Sequence, residues 1–242
     1  VTRLLRRPGF WIPIVLVLAL GVLPAITGSA TMREGFFLLL MFVALASSLN
    51  ILLGYTGYVS FGHIVFFGLG GYVGFYCLAV LHLPLVLACV AGGAAAGLLA
   101  LGLGASILRL RGAYFALATI GILEAMRAFV SNFSPFGGPI GMSLDFSIYR
   151  DYGGPGQALW ITYYAMLAVT IVVIAMSYVV KSSKFGLGLL SIREDEEAAA
   201  ILGVRTPAAK TIALVLSAIP PGVIGVLFFF KNGNIEPADA FR

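Results

Sequence analysis

Charge is scarce in this sequence. Fifteen Lys or Arg and ten Asp or Glu make up only 10% of 242 residues, where a water-soluble domain carries about a quarter. So few charged groups cannot hydrate the surface of a globule, which excludes an ordinary soluble enzyme and makes lipid the solvent. Cysteine is nearly absent too. Cys77 and Cys89 both sit in apolar runs without C-x-x-C or metal spacing, so they read as small core hydrophobes and exclude a disulfide framework. No G-x-x-x-x-G-K-[ST] phosphate loop occurs, so ATP hydrolysis of that kind needs another chain. The net charge of +5 does not indicate nucleic acid, because the basic residues fall in short clusters between apolar runs, as charges that orient a membrane protein do.

Apolar residues are plentiful: 60% of the chain is hydrophobic, with a mean hydropathy of +1.04. A membrane helix needs about 20 mainly apolar residues. Seven runs qualify: Phe10–Ile26, Gly35–Leu53, Val59–Leu81, Leu85–Leu108, Ala113–Val130, Leu159–Val180 and Ile212–Phe230. The expected fold is therefore an all-α, polytopic membrane domain over residues 1–242, with about seven spans. The first run follows Arg3, Arg6 and Arg7 like a signal peptide, but it lacks a clear small-x-small cleavage site and reads as a retained span. Thirty glycines suit close helix packing, and Gly70-xxx-Gly74 and Gly93-xxx-Gly97 have the spacing for it.

With the N-terminus inside, ten basic residues lie inside (Arg3, Arg6, Arg7, Arg109, Arg111, Lys181, Lys184, Arg193, Arg205, Lys210) and four outside (Arg33, Arg150, Lys231, Arg242). That is the bias expected of a membrane protein. The third run is rich in glycine and carries His63. If it were re-entrant the bias would vanish, with six inside and eight outside, so a full crossing is favoured, with a continuous or a broken helix both left open. Residues 131–158 form a long outer loop rich in Gly and Pro. Residues 181–211 form a long inner loop of mixed charge. Loops of that length usually carry function.

Glu124 and Arg127 stand three residues apart on the fifth run, so their side chains can meet. They read either as a polar element of a pathway or as a self-neutralising pair. His63 is a candidate proton relay or substrate contact, or a satisfied packing residue. Asn50 is expected to bond across to another helix. In the inner loop, Glu197-Ala198-Ala199-Ala200-Ile201-Leu202-Gly203 follows Arg193-Glu194-Asp195-Glu196. Glu and Ala from Glu194 to Ala200 favour a short helix, with Gly203 as its stop. Such a helix suits docking into a groove on a soluble partner.

Four blocks carry a resemblance. They are Leu49-Asn50-Ile51-Leu52-Leu53-Gly54-Tyr55-Thr56-Gly57-Tyr58-Val59-Ser60-Phe61-Gly62-His63; Leu110 to Thr119 with Glu124 and Arg127; Gly137-Gly138-Pro139-Ile140-Gly141; and Phe185 through Arg193-Glu194-Asp195-Glu196 to Gly203. Together they resemble the permease subunits of branched-chain amino-acid ABC importers. Tyr58 departs from that pattern, where glutamine is common, and no clean I-x-L-P surrounds Pro220 and Pro221. The family continues past this C-terminus with a further Gly-rich span, which leaves open whether the chain is a fragment.

The resemblance implies a non-enzymatic subunit in the cytoplasmic membrane of a prokaryote, without a cofactor of its own. Its partners would be a second permease, two cytoplasmic ATPases that use ATP, and an extracytoplasmic binding protein that delivers the amino acid. It assigns Arg193, Glu194, Asp195, Glu197, Ala198, Ala199 and Gly203 to ATPase coupling. Asn50, Tyr55, Thr56, Ser60, His63, Glu124 and Arg127 become candidates for the translocation pathway. Urea or short-chain amides are alternative substrates, and an ion-coupled secondary transporter is an alternative class. The latter needs intramembrane carboxylates, of which Glu124 is the one available. An intramembrane hydrolase lacks a nucleophile and base placed together at membrane depth.

Overall fold

The computed structural model describes residues 8–110 and 112–242. Arg3, Arg6, Arg7 and Arg111, counted above as inside, lie outside the described residues. Each apolar run contains a helix: α1 (Pro8–Thr27), α2 (Ala30–Thr56), α3 (Ile64–Ala79), α4 (Leu85–Ile107), α5 (Ala113–Asn132), α7 (Pro155–Ser182) and α10 (Thr206–Asn232). Short helices α6 (Phe146–Arg150), α8 (Lys184–Glu194), α9 (Glu196–Ile201) and α11 (Pro237–Ala240) occupy the connections and the tail. The all-α, polytopic expectation holds. Among the described residues, five helices are long and apolar enough to cross a bilayer; Trp11–Pro24 and Ile64–Ala79 are shorter apolar helices.

The third crossing is broken. Gly57, at φ 75°, ends α2, and its N–H bonds to the Leu53 carbonyl at 3.0 Å. Residues 57–60 have no regular structure, and α3 begins only at Ile64 after a turn. His63 lies against Ser217, in the middle of α10, so α3 starts near mid-membrane. Tyr58 and Gly62 of this segment are buried, whereas Gly57, Val59 and Phe61 are exposed and line an open cavity. Burial in protein or a water-filled cavity is the condition under which irregular backbone survives at membrane depth.

The centre of the bundle is α10, with two thirds (67%) of its apolar window buried, against 17% for α5. It passes between α3 and α4 because glycines let the backbones touch. A Cβ at Gly70 would lie 2.3 Å from the Gly222 Cα, and one at Gly92 would lie 2.6 Å from the Gly70 carbonyl. Gly74 and Gly93 abut Val226 and Val223, and Gly97 abuts Ile219. The spacings Gly70-xxx-Gly74 and Gly93-xxx-Gly97 are thus packing faces. Pro220 and Pro221 lie inside α10. Pro221 has no N–H for the carbonyl four residues back, that of Ser217. Two side chains serve that carbonyl instead: Ser48 Oγ donates at 2.7 Å and His63 Nε2 stands at 2.9 Å.

The loop of residues 131–158, expected outside, is folded, with two 3-10 turns, α6 and a two-residue strand β1 (Met142–Ser143) paired antiparallel to β2 (Asn234–Ile235). Tyr149 of α6 donates to the Phe230 carbonyl at 2.7 Å. Loop and C-terminal tail therefore share one end of the bundle, the end where the charge count puts both outside. Arg33 lies 5.1 Å over the Trp160 ring and Lys231 pairs with Glu34 at that same end. Ser147, exposed on α6, is the place to read orientation. In a background lacking Cys77 and Cys89, Ser147→Cys is expected to react with an impermeant thiol reagent from outside; labelling from inside alone would overturn the orientation.

Candidate functional site at the inner end

Residues 184–201 form two helical arms, not one helix over Glu194–Ala200. Asp195 separates them. Its extended backbone (φ −156°) breaks the run, and its carboxylate accepts from the N–H groups of Glu197 at 2.9 Å and Ala198 at 3.1 Å, which caps α9. Arg193 and Glu194 consequently end α8, while Glu196 and Glu197 fill the first turn of α9, where the helix dipole favours them. Gly203 follows α9 at φ 91°, as a helix stop requires. Ala199 is corrected by the structure: at 1% exposure it packs inside the fold and offers no surface to a partner. The outward apolar tip is Ile201 and Leu202, 87% and 81% exposed.

Arm α8 went unread in the sequence, although its signals are there. Ser183 caps it, accepting from Gly186 N–H at 3.1 Å. Gly186, Leu189 and Ile192 bury at three-residue steps. Its end is tied to α2 by Arg193, which donates to the Gly54 carbonyl at 2.9 Å.

The strongest polar feature of this end involves residues that sequence reasoning left unassigned. Lys210, in the first turns of α10, is 3% exposed. Its ammonium donates to Glu196 Oε1 at 2.6 Å, Tyr58 Oη at 2.9 Å and the Leu108 carbonyl at 2.9 Å. Tyr58 in turn donates to Glu196 Oε2 at 2.9 Å. Burial pushes the Tyr58 phenol up from its usual range, against the pull of Lys210, which keeps it a donor. A cation near a helix N-terminus is unfavourable by itself, so Lys210 depends on this carboxylate. The network joins four pieces: the irregular segment after α2, the end of α4, α9 and α10. Tyr58, the position that departs from the usual glutamine, is one of its three members.

The pathway candidates divide. Tyr55 and Thr56 are buried in structural bonds: Tyr55 Oη with Ser177 at 2.9–3.1 Å, and Thr56 Oγ1 donating to the Leu52 carbonyl at 2.6 Å. His63 serves the carbonyl freed by Pro221, and among the described residues its Nδ1 has no hydrogen-bond partner. Asn50 is exposed on α2 and no bond to a neighbouring helix is seen among the described residues. Ser60 lines a small cavity with Gly62, Phe66 and Thr119. Glu124 and Arg127 are both exposed, and among the described residues no ion pair within 4 Å joins them, so the expected self-neutralising pair does not form. An open cavity at the inner end brings Gly57, Val59 and Phe61 of the irregular segment against Ala113 and Ala116 of α5, with Arg193 and Glu196 at its edge.

Residues 31–241 match the family described as "Branched-chain amino acid transport system / permease component". The chain belongs to that family. Two curated relatives share the description: the "High-affinity branched-chain amino acid transport system permease protein LivM" of Escherichia coli (strain K12) and of Salmonella typhimurium. The first is 29% identical over 83% of this chain and 52% of its own length. The second is 28% identical over 89% of this chain and 62% of its own length. The chain thus spans about half to three fifths of these relatives. No solved structure matches it. The four sequence blocks sit within this frame as the end of α2 with the broken crossing, the start of α5, a 3-10 turn of the outer loop, and α8 with α9.

Proposed function

We propose that the chain is the membrane-spanning part of an ATP-driven importer for branched-chain amino acids, working with a second permease, an extracytoplasmic binding protein and cytoplasmic ATPases. Family membership and the names of the relatives support the substrate class. The observation that supports the coupling is the α8–α9 arm itself: a rigid hairpin with a bare apolar tip, Ile201 and Leu202, whose root is anchored to α2 by Arg193 and to α10 by the Lys210–Glu196–Tyr58 network. Two exposed aliphatic side chains at the end of a helix suit a groove on a soluble partner. A push on that tip is delivered to the broken crossing, because Tyr58 belongs to the segment that leads into it.

The test is a reconstituted complex with leucine uptake and ATPase rate both measured. Ile201→Asp with Leu202→Asp leaves the anchors intact and is expected to reduce uptake and substrate-stimulated ATP hydrolysis by about tenfold or more, the scale of losing a hot-spot contact. Gly203→Val should act similarly by a different route, since φ 91° strains any side chain there although the space around it is open. Normal ATPase binding and parental transport in both variants would make the arm a solvated loop and overturn the coupling.

A further inference from the structure

Helix α5 is the least covered of the long spans, and its uncovered side is not uniformly apolar. Its 20 residues extend about 30 Å, so Glu124 stands about 16 Å from the inner end, close to mid-membrane, and Arg127 one turn further out. Both are exposed, and neither pairs with the other. A carboxylate uncovered at that depth is costly in lipid, which calls for water or a charged partner against it.

The position of this face says which. Ala113, Ala116, Ile120, Glu124 and Arg127 follow one another at steps of three or four residues, which makes them a single stripe along the helix. The lower end of that stripe, Ala113 and Ala116, forms a wall of the open inner cavity. Ile120 is exposed above it. The charged part of the stripe is therefore a direct continuation of a cavity wall. Opposite charges held one turn apart match the two ends of an α-amino acid, and Ile120 below them offers apolar surface to an aliphatic side chain.

From this we infer that the α5 stripe is a wall of the translocation path, with Glu124 receiving the ammonium and Arg127 the carboxylate of a zwitterionic amino acid. The inference rests on the transport function proposed above and assigns its substrate contacts.

The experiment uses membrane vesicles containing the complete importer, with Cys77 and Cys89 replaced. Glu124→Cys should react with a charged, water-borne thiosulfonate, and saturating L-leucine should slow that reaction about tenfold. Leucinamide, which lacks the carboxylate, should protect poorly. In uptake, Glu124→Gln should raise the KM for leucine by about tenfold or more, as loss of one charge-assisted contact does, while Arg127→Lys, which keeps the charge, should fall well short of Arg127→Met. Reaction only with a membrane-soluble maleimide would put the face against lipid and overturn the inference. Reaction with neither reagent would put it against a partner subunit and overturn it as well. Vesicles of the parent that fail to accumulate leucine with ATP would instead overturn the transport function, whereas a transporting parent with an unreactive Glu124→Cys variant removes only this assignment.

Discussion

Glu196→Gln is expected to destabilise the protein by about 3–5 kcal/mol, the range for removing one partner of a buried ion pair. The reason is asymmetry. Lys210 has side-chain exposure of 4%, while Glu196 has 15%, so the ammonium is the member that cannot recover water. Without the negative charge it keeps only neutral acceptors, namely the new amide oxygen, a phenol and one carbonyl, and it sits at a helix N-terminus that repels it. Lys210→Met should cost less, because Glu196 lies closer to solvent. The double variant Glu196→Gln with Lys210→Met removes the charge altogether and should recover more than half of the loss, which makes the two changes strongly non-additive. Tyr58→Phe deletes one hydrogen-bonding hydroxyl and should cost about 1 kcal/mol. Unfolding of the detergent-solubilised chain measures all four. A loss below about 1 kcal/mol for Glu196→Gln, or simple additivity in the double variant, would show that the network is not a buried charge pair.

Much of this architecture was legible because hydropathy in a membrane chain is a one-dimensional signal. Each of the seven apolar runs has its helix, and the glycines at 62, 68, 70, 71 and 74 mark the third as a poor simple helix. The inner end was less legible for specific reasons. Asp195 is one residue in an otherwise helical stretch, and its switch to extended backbone splits α8 from α9, so the two arms face independently and Ala199 turns inward. The Lys210 network brings together residues 138, 152 and 14 positions apart, and no local periodicity encodes such a meeting. Glu124 and Arg127 show the opposite failure. Their spacing permits a contact, but permission is not contact, since both side chains are exposed and, among the described residues, nothing packs them together. His63 admits both a functional and a packing reading in the sequence; its bonded nitrogen is taken up by the carbonyl that Pro221 cannot serve.

Gly70→Ala is expected to be among the most damaging small substitutions in the bundle. The new methyl would meet the Gly222 Cα at 2.3 Å and its carbonyl at 2.7 Å. Both are backbone atoms, so no rotamer change relieves the clash, and either α3 or α10 must move. Moving α10 disturbs α4 as well, because the Gly222 carbonyl and the Gly70 carbonyl both crowd Gly92. Overpacking in a core costs about 1–3 kcal/mol where side chains can yield, and more where they cannot; here on the order of 3 kcal/mol or above is expected. Closely packed glycines also hold membrane helices together through dispersion contacts that need near-contact distance, and separating the backbones forfeits them along the whole crossing. Gly102→Ala on α4 is the control. That glycine is helical with nothing within 4 Å of an added Cβ, so the change should be neutral or stabilise by up to about 1 kcal/mol through the higher helix propensity of alanine. Expression level and resistance to detergent-induced unfolding should therefore fall sharply for Gly70→Ala and stay unchanged or rise for Gly102→Ala. Equal behaviour of the two variants would mean that α3 and α10 do not touch through their glycines, and the central packing described for this chain would be wrong.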